Sequence, residues 1–460
     1  MIAFAVQSKR PAPHLASGAA GRSRRRWFGA ACALALSCGG AFAAGAPPHA
    51  VLLFTGGVKG CLEDPGLARA PGGGIDRRAG FVNQLRRRWP TTAVGVLDAG
   101  DFADAPGPAG ELRTRAIVHS MNLMGYAAAG VGERELALGA ELFQQIAEAA
   151  QFPFVATNLV RARDGAPWLS PNAVVRLGGI KFAVFSVVRH NPAMRLPLPD
   201  GDAVETIDPV LALQRYVGRD ATQMTVLLTD LPVEDARFLA RRVPGIDLIL
   251  GAHGGRITPG PIAEGTTFIV YAGGEGRYVG QVEVHRSGPS SIPDIGARVA
   301  SLSADVPAEP TVTSFVAEVL ARARELERRG RGRPEGPRTF LGPSACLPCH
   351  EPIVKEWRGT EHAKAYQTLA RRGSFSPRCA ACHVTGWGQA GGFADPGASP
   401  HLLDVSCEAC HGPAADHVRQ PARPYGKISI ANCTSCHTPE MDAGFNYYED
   451  VQLVRHSQTR

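Results

Sequence analysis

The sequence predicts an α/β layered sandwich followed by a second domain that is mostly α-helical and irregular. Between residues 51 and 285, short β-rich runs alternate with amphipathic segments that suit helices. Several of these runs are continuously apolar, as expected for strands that are covered on both faces. Beyond residue 338 the composition changes to Cys, His, Gly and Pro, with little apolar periodicity. This second stretch lacks the aliphatic side chains from which an ordinary core is built.

Residues 1–44 are predicted to be a signal peptide. An arginine-rich stretch at 22–26 precedes an Ala/Leu-rich run, and Ala41-Phe42-Ala43 has the small residues of a cleavage site. The apolar run is too short for a membrane span, and no other segment is apolar enough for one. Two variants stay open: a twin-arginine export signal, and a lipoprotein cleavage site that would leave Cys38 acylated. We therefore expect a periplasmic protein, for which acylation of Cys38 in the second variant would be the one link to the membrane.

The first domain is predicted to span residues 50–285. Its predicted strands lie at residues 51–54, 93–97, 154–156, 182–188, 225–228, 248–250 and 267–271. Its predicted helices lie at residues 80–88, 111–124 and 140–149. This alternation indicates an α/β layer fold.

Residues 286–337 are predicted to be a linker that contains one helix. The part from 286 to 310 is rich in Ser, Pro and Ala and is expected to be a simple connection. Residues 312–329 form the helix, with Arg and Glu paired along its surface. The Gly- and Arg-rich residues 329–337 then lead into the second domain, residues 338–460.

Eight of the eleven cysteines lie in four C-x-x-C-H motifs. The motif residues are, in order, Cys346, Cys349 and His350; Cys379, Cys382 and His383; Cys407, Cys410 and His411; and Cys433, Cys436 and His437. In this pattern two thiols bond to one edge of a porphyrin, and the following histidine ligates its iron. The sequence therefore predicts four covalent haem c groups, which also supply the missing apolar core.

Zinc and disulfides are the alternatives for these cysteines. Pairs of the C-x-x-C type also build tetrahedral zinc sites, but zinc does not require a histidine after every second cysteine. Disulfides within C-x-x-C pairs are strained and typical of redox folds. Export of the chain to the compartment where c-type haem is attached favours haem.

Three histidines outside the motifs are candidates for distal iron ligands. His362 lies in a predicted helix after the first motif, His417 follows the third motif, and His456 lies near the end of the chain. His401 is a further candidate. A surface position is the alternative for each of them.

The stretch from residue 341 to 456 resembles the tetrahaem cytochrome c-554 family, which includes the electron acceptor of hydroxylamine oxidation. The resemblance is carried by residues 382–388, 391–393 and 407–413. It implies a multihaem cytochrome c domain in which most irons lie between two histidines and one haem can lack a distal ligand. It also implies low-potential electron transfer with redox partner proteins in the periplasm or at the membrane.

Residues 50–285 resemble the calcineurin-type metallophosphoesterases, specifically the catalytic domain of periplasmic 5′-nucleotidases. Residues 98–102, 131–139, 247–253 and 267–280 carry this resemblance. It implies a metallophosphoesterase-like sandwich with a two-metal site, in which ions about 3.5–4 Å apart activate water and bind phosphate.

This metal site departs from the family pattern. In the family, three ligand positions bind only one of the two metals. In this chain those positions are occupied by Gly57, Lys59 and Gly255, and Arg134 stands at the position of the catalytic histidine. The other metal position keeps four candidate ligands: Asp101, Glu133, Asp230 and His253. This set could hold one divalent ion of the Mn or Fe type. The alternative is that these residues form ion pairs with Lys59 and Arg134.

The charge pattern gives no sign of a nucleic-acid partner, because the net charge of +7 is spread along the chain without a basic stripe. We expect an electron-transfer cytochrome whose 5′-nucleotidase-like domain is a non-catalytic docking or binding module. Three alternatives remain open. The open haem could reduce a small nitrogen or sulfur compound, the first domain could hydrolyse a phosphoester with one metal, or the protein could be a scaffold that presents haems.

Overall fold

The structure is a computed structural model. It describes residues 47–64, 72–218, 223–285, 294–330, 339–371, 377–422, 425–426, 428–438, 441–442 and 444–456. The predicted signal peptide, with Cys38, lies outside these residues. Among the described helices, none is both long and apolar enough to cross a membrane.

The strands of the described residues all lie in the first domain. In chain order they are β1 (Ala50–Thr55), β2 (Ala93–Asp98), β3 (Tyr126–Gly130), β4 (Phe154–Val155), β5 (Leu159–Arg161), β6 (Asn172–Leu177), β7 (Ile180–Val187), β8 (Leu196–Pro197), β9 (Ala203–Thr206), β10 (Gln223–Thr229), β11 (Leu248–Gly251), β12 (Ile262–Glu264), β13 (Thr267–Tyr271), β14 (Tyr278–His285) and β15 (Asp294–Ser301). Each run predicted from the sequence corresponds to one of them.

The helices divide between the two domains. Those of the first domain and its C-terminal extension are α1 (Ile75–Arg88), α2 (Pro108–Met124), α3 (Glu133–Leu136), α4 (Ala140–Glu148), α5 (Pro209–Tyr216), α6 (Val233–Arg242) and α7 (Pro310–Gly330). Those of the second domain are α8 (Leu347–Arg358), α9 (Ala365–Ala370), α10 (Pro377–His383), α11 (Cys407–His411), α12 (Ala415–Arg419), α13 (Ile430–Thr434) and α14 (Tyr447–Asp450). Short 3₁₀ helices add Pro343–Ala345, His362–Lys364, Pro400–Leu402 and Val451–Leu453.

Two six-stranded sheets form the centre of the first domain. One has the strand order β15-β14-β1-β2-β3-β4, and the other has the order β12-β13-β11-β10-β7-β6. The strands β1 to β4 run parallel, as do β7, β10, β11 and β13. A small third sheet has the order β5-β9-β8.

The alternation along β1 shows how the layers are built. Leu52 and Phe54 belong to the apolar core shared with strands of the second sheet, whereas Val51 and Leu53 belong to the core under α1 and α2. Because successive side chains of a strand point to opposite faces, a continuously apolar strand can serve both cores. Helices α5 and α6 cover the outer face of the second sheet. The predicted α/β layered sandwich is confirmed.

The first domain extends further than predicted. Strand β15 pairs with β14 along its whole length, from Tyr278 opposite Ser301 to His285 opposite Asp294. Helix α7 packs against α2, where the guanidinium of Arg113 donates to a carboxylate of α7. The boundary predicted at residue 285 is therefore too early, and residues 294–330 belong to the α/β domain rather than to a linker.

The second domain is mostly helical and irregular, as predicted. Its helices are short, and its largest apolar cluster within the described residues comprises Phe340, Ala380, Val384, Phe393 and Leu402. A cluster of five buried side chains is small for a domain of this length, which agrees with a core completed by a large apolar cofactor.

Candidate functional site

Each C-x-x-C-H motif lies on a single helical turn. The backbone N–H of His350 donates to the carbonyl oxygen of Cys346 at 2.9 Å, and that of His437 donates to Cys433 at 2.9 Å. This i, i+4 relation places the first cysteine and the histidine of a motif on the same side of the turn. His350 itself leaves the helical conformation, with φ −125° and ψ 37°.

Three motif histidines each face a histidine from outside the motifs. The ring centroids are 6.3 Å apart for His350 and His417, 6.1 Å for His437 and His362, and 6.0 Å for His411 and His456. An imidazole nitrogen lies about 2 Å from a metal that it binds, so rings on opposite sides of one iron have centroids roughly 6 Å apart. The spacing of all three pairs fits an iron between the rings.

Within the described part of the chain, no ring contact joins the second-motif histidine, His383, to another histidine. His401 lies in the 3₁₀ helix Pro400–Leu402. Among the described residues, no histidine ring contact pairs it with a motif histidine. The structure therefore places three of the four candidate distal residues opposite motif histidines, and His401 is the exception.

The hydrogen bonds of the motif histidines orient them for iron. The Nδ1 atoms face these acceptors: Ala365 O at 2.7 Å from His383, Gly426 O at 3.1 Å from His411, and Asp442 Oδ2 at 2.9 Å from His437. A ring that donates from Nδ1 keeps the lone pair of Nε2 for a metal. Burial lowers the pKa of His362 and His411, which favours the neutral, ligating form.

A buried nitrogen on His417 gives a further test of the fit. Its Nδ1 atom is buried and has no hydrogen-bond partner in the described structure. Leaving such an atom unpaired costs free energy, which a bound metal would recover. The residues of this domain thus fit haem groups held by the motif cysteines.

Contacts between cysteines show which motifs are neighbours. The Cys346 thiol hydrogen-bonds to the Cys407 sulfur, which raises the pKa of Cys346 and lowers that of Cys407. The Cys382 and Cys436 sulfurs form a second such pair, and this bond lowers the pKa of Cys436 to about 6. In a cytochrome these atoms are thioether sulfurs on haem edges. The first motif therefore lies beside the third, and the second beside the fourth.

A third neighbour relation joins these two pairs. The Cys410 sulfur lies close enough to those of Cys433 and Cys436 for their charges to raise its pKa, although burial is the larger cause. The third motif is therefore beside the fourth. The four motifs follow one another in space in the order one, three, four, two.

A buried carboxylate that sequence analysis missed connects three segments of this domain. Glu408 is only 2% exposed and accepts hydrogen bonds from the backbone N–H groups of Leu341, Gly342 and Ala414, at 2.7–3.1 Å. It thereby joins the third motif to the chain before the first motif and to the segment that leads to His417. No local pattern marks this residue, because its partners are distant in sequence or on the backbone.

The four candidate metal ligands of the first domain follow the ends of four strands. Asp101 comes after β2, Glu133 after β3, Asp230 after β10 and His253 after β11. Carboxyl ends of parallel strands share one edge of a sheet, and here the adjoining edges of the two sheets bring the four residues near one another. The Glu133 N–H donates to Asp230 at 3.4 Å, and His253 Nδ1 lies 2.6 Å from the Asp230 carbonyl oxygen.

The side chains at this edge do not assemble as predicted. The Glu133 carboxylate is 62% exposed and forms an ion pair with Arg189 at 3.3 Å. Arg134 instead donates from Nε to the carbonyl oxygen of Ala103 at 2.8 Å, so its predicted pairing with the carboxylates is corrected. Among the described residues, no group of three or more His, Cys, Asp or Glu side chains is placed to hold a metal.

Two acidic residues at these strand ends, Glu135 and Asp230, are buried. Glu135 accepts hydrogen bonds from the backbone N–H groups of Asp101, Ala103 and Gly132 at 2.7–2.8 Å. Burial, with the charge of Asp101, raises the pKa of Asp230 to about 8, and one of its oxygens is buried without a partner in the described structure. The loops thus keep their shape through Glu135, while burial favours the neutral form of Asp230.

Comparison with known proteins identifies the second domain. Residues 345–412 match the family model described as cytochrome c554 and c-prime. The C-terminal domain is cytochrome c-554-like. Cytochrome c-554 of Nitrosomonas europaea is 34% identical over 90 residues, which make up 16% of this chain and 38% of that protein. The similarity implies covalent haem c, and the matched residues contain the first three motifs.

The first domain is similar to 5′-nucleotidases. The snake venom 5′-nucleotidase of Gloydius brevicauda is 28% identical over 191 residues, and the rat enzyme is 28% identical over 190. These matches span 39% of this chain and only 32% of each relative. The protein is thus a cytochrome-like domain joined to a 5′-nucleotidase-like domain.

Solved structures show the same fold for this domain. The sulfate thiohydrolase SoxB of Thermus thermophilus matches with a TM-score of 0.52 at 21% identity, over 62% of each chain. A 5′-nucleotidase precursor of the same species matches with a TM-score of 0.50 at 21% identity, over 60% of this chain and 58% of that one. At such identities the likeness establishes the fold alone.

Proposed function

We propose that the protein is a periplasmic electron carrier with four covalent haem c groups and a non-catalytic 5′-nucleotidase-like domain. The observation that carries this proposal is the set of three histidine pairs with ring centroids 6.0–6.3 Å apart. Its partners are redox proteins of the periplasm or the membrane. If Cys38 is acylated, that lipid would be its link to the membrane, and we expect no nucleic-acid partner.

We infer the iron ligands from these pairs. The histidines that would hold iron together are His350 with His417 for the first motif, His411 with His456 for the third, and His437 with His362 for the fourth. His383 of the second motif would hold iron without a second histidine from the described residues. Bound haem supplies one-electron chemistry, and the histidines set its ligation and orientation.

The order of the motifs gives the electron route. Neighbouring sulfurs join motif one to three, three to four, and four to two. The route would therefore run past the three motifs with paired histidines and end at the second motif, where His383 would leave one iron position open. The motif sulfurs attach to haem edges, so neighbouring motifs would bring haem edges close together. Electron transfer between close haem edges is fast, because no step crosses a long gap.

Spectroscopy of the exported, full-length protein tests this proposal. Intact mass should show four haem additions, and the ferric protein should contain three low-spin irons and one high-spin iron. His362→Ala should convert one further iron to high spin because a strong-field ligand is lost. The matched control His401→Ala should leave the spectrum unchanged. Fewer than four haems, or an unchanged spectrum in His362→Ala, would contradict the assignment.

A second candidate function is reduction of a small nitrogen or sulfur compound. The observation that favours it is His383, the one motif histidine without an imidazole partner in the described structure. An open iron position can bind a small ligand directly. Reduced protein should then be reoxidised by hydroxylamine, nitrite or sulfite at a rate that rises with substrate concentration. Inertness toward all three would leave electron carriage as the function.

We expect the first domain not to hydrolyse phosphoesters, because of the residues at its candidate metal site. Gly57 and Gly255 offer no ligand, and the cationic Lys59 opposes a metal beside it. Arg134 cannot serve as a general acid, since its guanidinium does not release a proton in the working range. We expect no turnover of AMP or an aryl phosphate with Mg, Mn, Zn or Co. Robust turnover that disappears in Asp101→Asn would instead establish a one-metal phosphoesterase.

A further inference from the structure

The histidine of the fourth motif differs from those of the second and third motifs in its hydrogen-bond partner. His437 Nδ1 lies 2.9 Å from the carboxylate oxygen Oδ2 of Asp442. The corresponding Nδ1 atoms of His383 and His411 meet backbone carbonyl oxygens, at 2.7 and 3.1 Å. A carboxylate carries a full negative charge, so its hydrogen bond is stronger than that of a neutral carbonyl oxygen at a similar distance.

The turn after the motif holds this carboxylate in place. The Asp442 N–H donates to the carbonyl oxygen of Thr438 at 2.8 Å, and the Phe445 N–H donates to that of Asp442 at 3.1 Å. The Phe445 ring stacks on the His437 imidazole, with centroids 4.6 Å apart and planes inclined by 19°. One short segment therefore fixes both the orientation of the imidazole and its acceptor. The contact is partly shielded, since the two side chains are 34% and 31% exposed.

We propose that Asp442 is a positioning residue that lowers the reduction potential of the fourth haem. A negative acceptor on Nδ1 makes the imidazole a stronger donor to iron through Nε2. Stronger donation stabilises the ferric state over the ferrous state and so lowers the potential. This inference rests on the proposed ligation of one iron by His437 and His362.

The place of the fourth motif gives this effect a consequence for electron flow. In the order one, three, four, two, it is the immediate neighbour of the open position at His383. The Nδ1 atom of His411 in the third motif faces a backbone carbonyl oxygen, so this effect lowers the potential of the fourth haem relative to the third. Asp442 thereby favours electron transfer from the fourth haem to the haem of the second motif.

Potentiometry of the full-length holoprotein tests the proposal. Asp442→Asn keeps the size and an acceptor oxygen of the side chain but removes its charge. Loss of such an outer partner changes metal equilibria by roughly tenfold or more. A tenfold change in a one-electron couple is about 59 mV, so the midpoint of the fourth haem should rise by at least about that amount. Its signal is identified as the low-spin species that His362→Ala removes.

Two further variants make the test specific. Asp442→Glu restores the charge and should return the midpoint toward the wild-type value. Glu449→Gln removes one negative charge from an exposed neighbouring residue and should leave the midpoint unchanged. Should Asp442→Asn fail to retain four haems, Asp442→Ser provides the same comparison.

Two results would overturn the proposal. One is an unchanged midpoint in Asp442→Asn, or in Asp442→Ser, with four haems present. The other is an equal shift in Glu449→Gln, which would assign the effect to net charge. Failure of the underlying ligation is recognised separately, because His362→Ala would then remove no low-spin signal.

Discussion

The buried carboxylate of Glu408 allows a quantitative test of how the cytochrome-like domain is held together. It accepts hydrogen bonds from Gly342 at 2.7 Å, Ala414 at 2.8 Å and Leu341 at 3.0 Å. Glu408→Ala removes the acceptor of all three N–H groups, and two of these bonds are buried. A buried donor without a partner costs about 1–3 kcal/mol, so the expected loss in free energy of unfolding is roughly 3–5 kcal/mol.

The loss should also reach the first haem. Ala414 directly precedes the helix α12 that carries His417, and Gly342 precedes the first motif. Releasing both segments should loosen His417 from the iron that we propose it shares with His350, which would add a high-spin component to the ferric spectrum. Glu408→Gln keeps one acceptor oxygen and should cost about half as much.

Guanidinium unfolding of the holoprotein, followed by far-UV circular dichroism and the Soret band, measures both effects. Glu361→Ala is the matched control, because Glu361 is 88% exposed and forms only a surface ion pair with Lys364. Such a surface change is worth about 0.5 kcal/mol or less. The argument for the buried carboxylate is refuted if two results are found together. The free energy of unfolding of Glu408→Ala would lie within that margin of the control, and its spectrum would stay low-spin.

Two further predictions concern other buried groups. Burial raises the pKa of Asp98 to about 6, so between about pH 4 and 6 the folded form binds more protons than the unfolded form. The free energy of unfolding should fall by roughly 3 kcal/mol as pH rises through this interval, and denaturant titrations of Asp98→Asn should lack that slope. The Tyr425 ring stacks on His417 at 4.7 Å and on His411 at 5.8 Å. Tyr425→Leu should therefore alter the electron paramagnetic resonance of two low-spin haems, whereas Tyr425→Phe should not.

The strands predicted from sequence are those with continuous apolar runs. The prediction at residues 51–54 corresponds to β1, whose six residues are all buried between two cores. Strand β3 was missed because its sequence, Tyr-Ala-Ala-Ala-Gly, has low β propensity, and its neighbours in the sheet impose the conformation. Strand β15 was missed because it is an edge strand with few buried residues, so no apolar run marks it.

The haem-attachment residues could be predicted because the chemistry confines them to five consecutive positions. The pairing of His362 with His437 could not be predicted, because it depends on how two distant segments pack. Asp442 and Glu408 were missed for a similar reason: each acts through groups that the folded backbone brings to it. The ion pair between Glu133 and Arg189 is another contact of this kind, and it replaces the pairing expected from local sequence.

In the first domain, the conformation of the loop after β2 and the binding of a metal at that loop depend on different interactions. Asp101 adopts a left-handed backbone conformation, with φ 57°, and Glu135 stabilises it by accepting its N–H. That contact involves none of the other candidate metal ligands, so the loop can keep its shape with Gly57 and Gly255 at positions where the resemblance leads us to expect ligating side chains. The motif around Asp101 is therefore evidence for the fold. Hydrolysis depends instead on bound metal, which is why the metal assays, and not the motif, decide the activity of the domain.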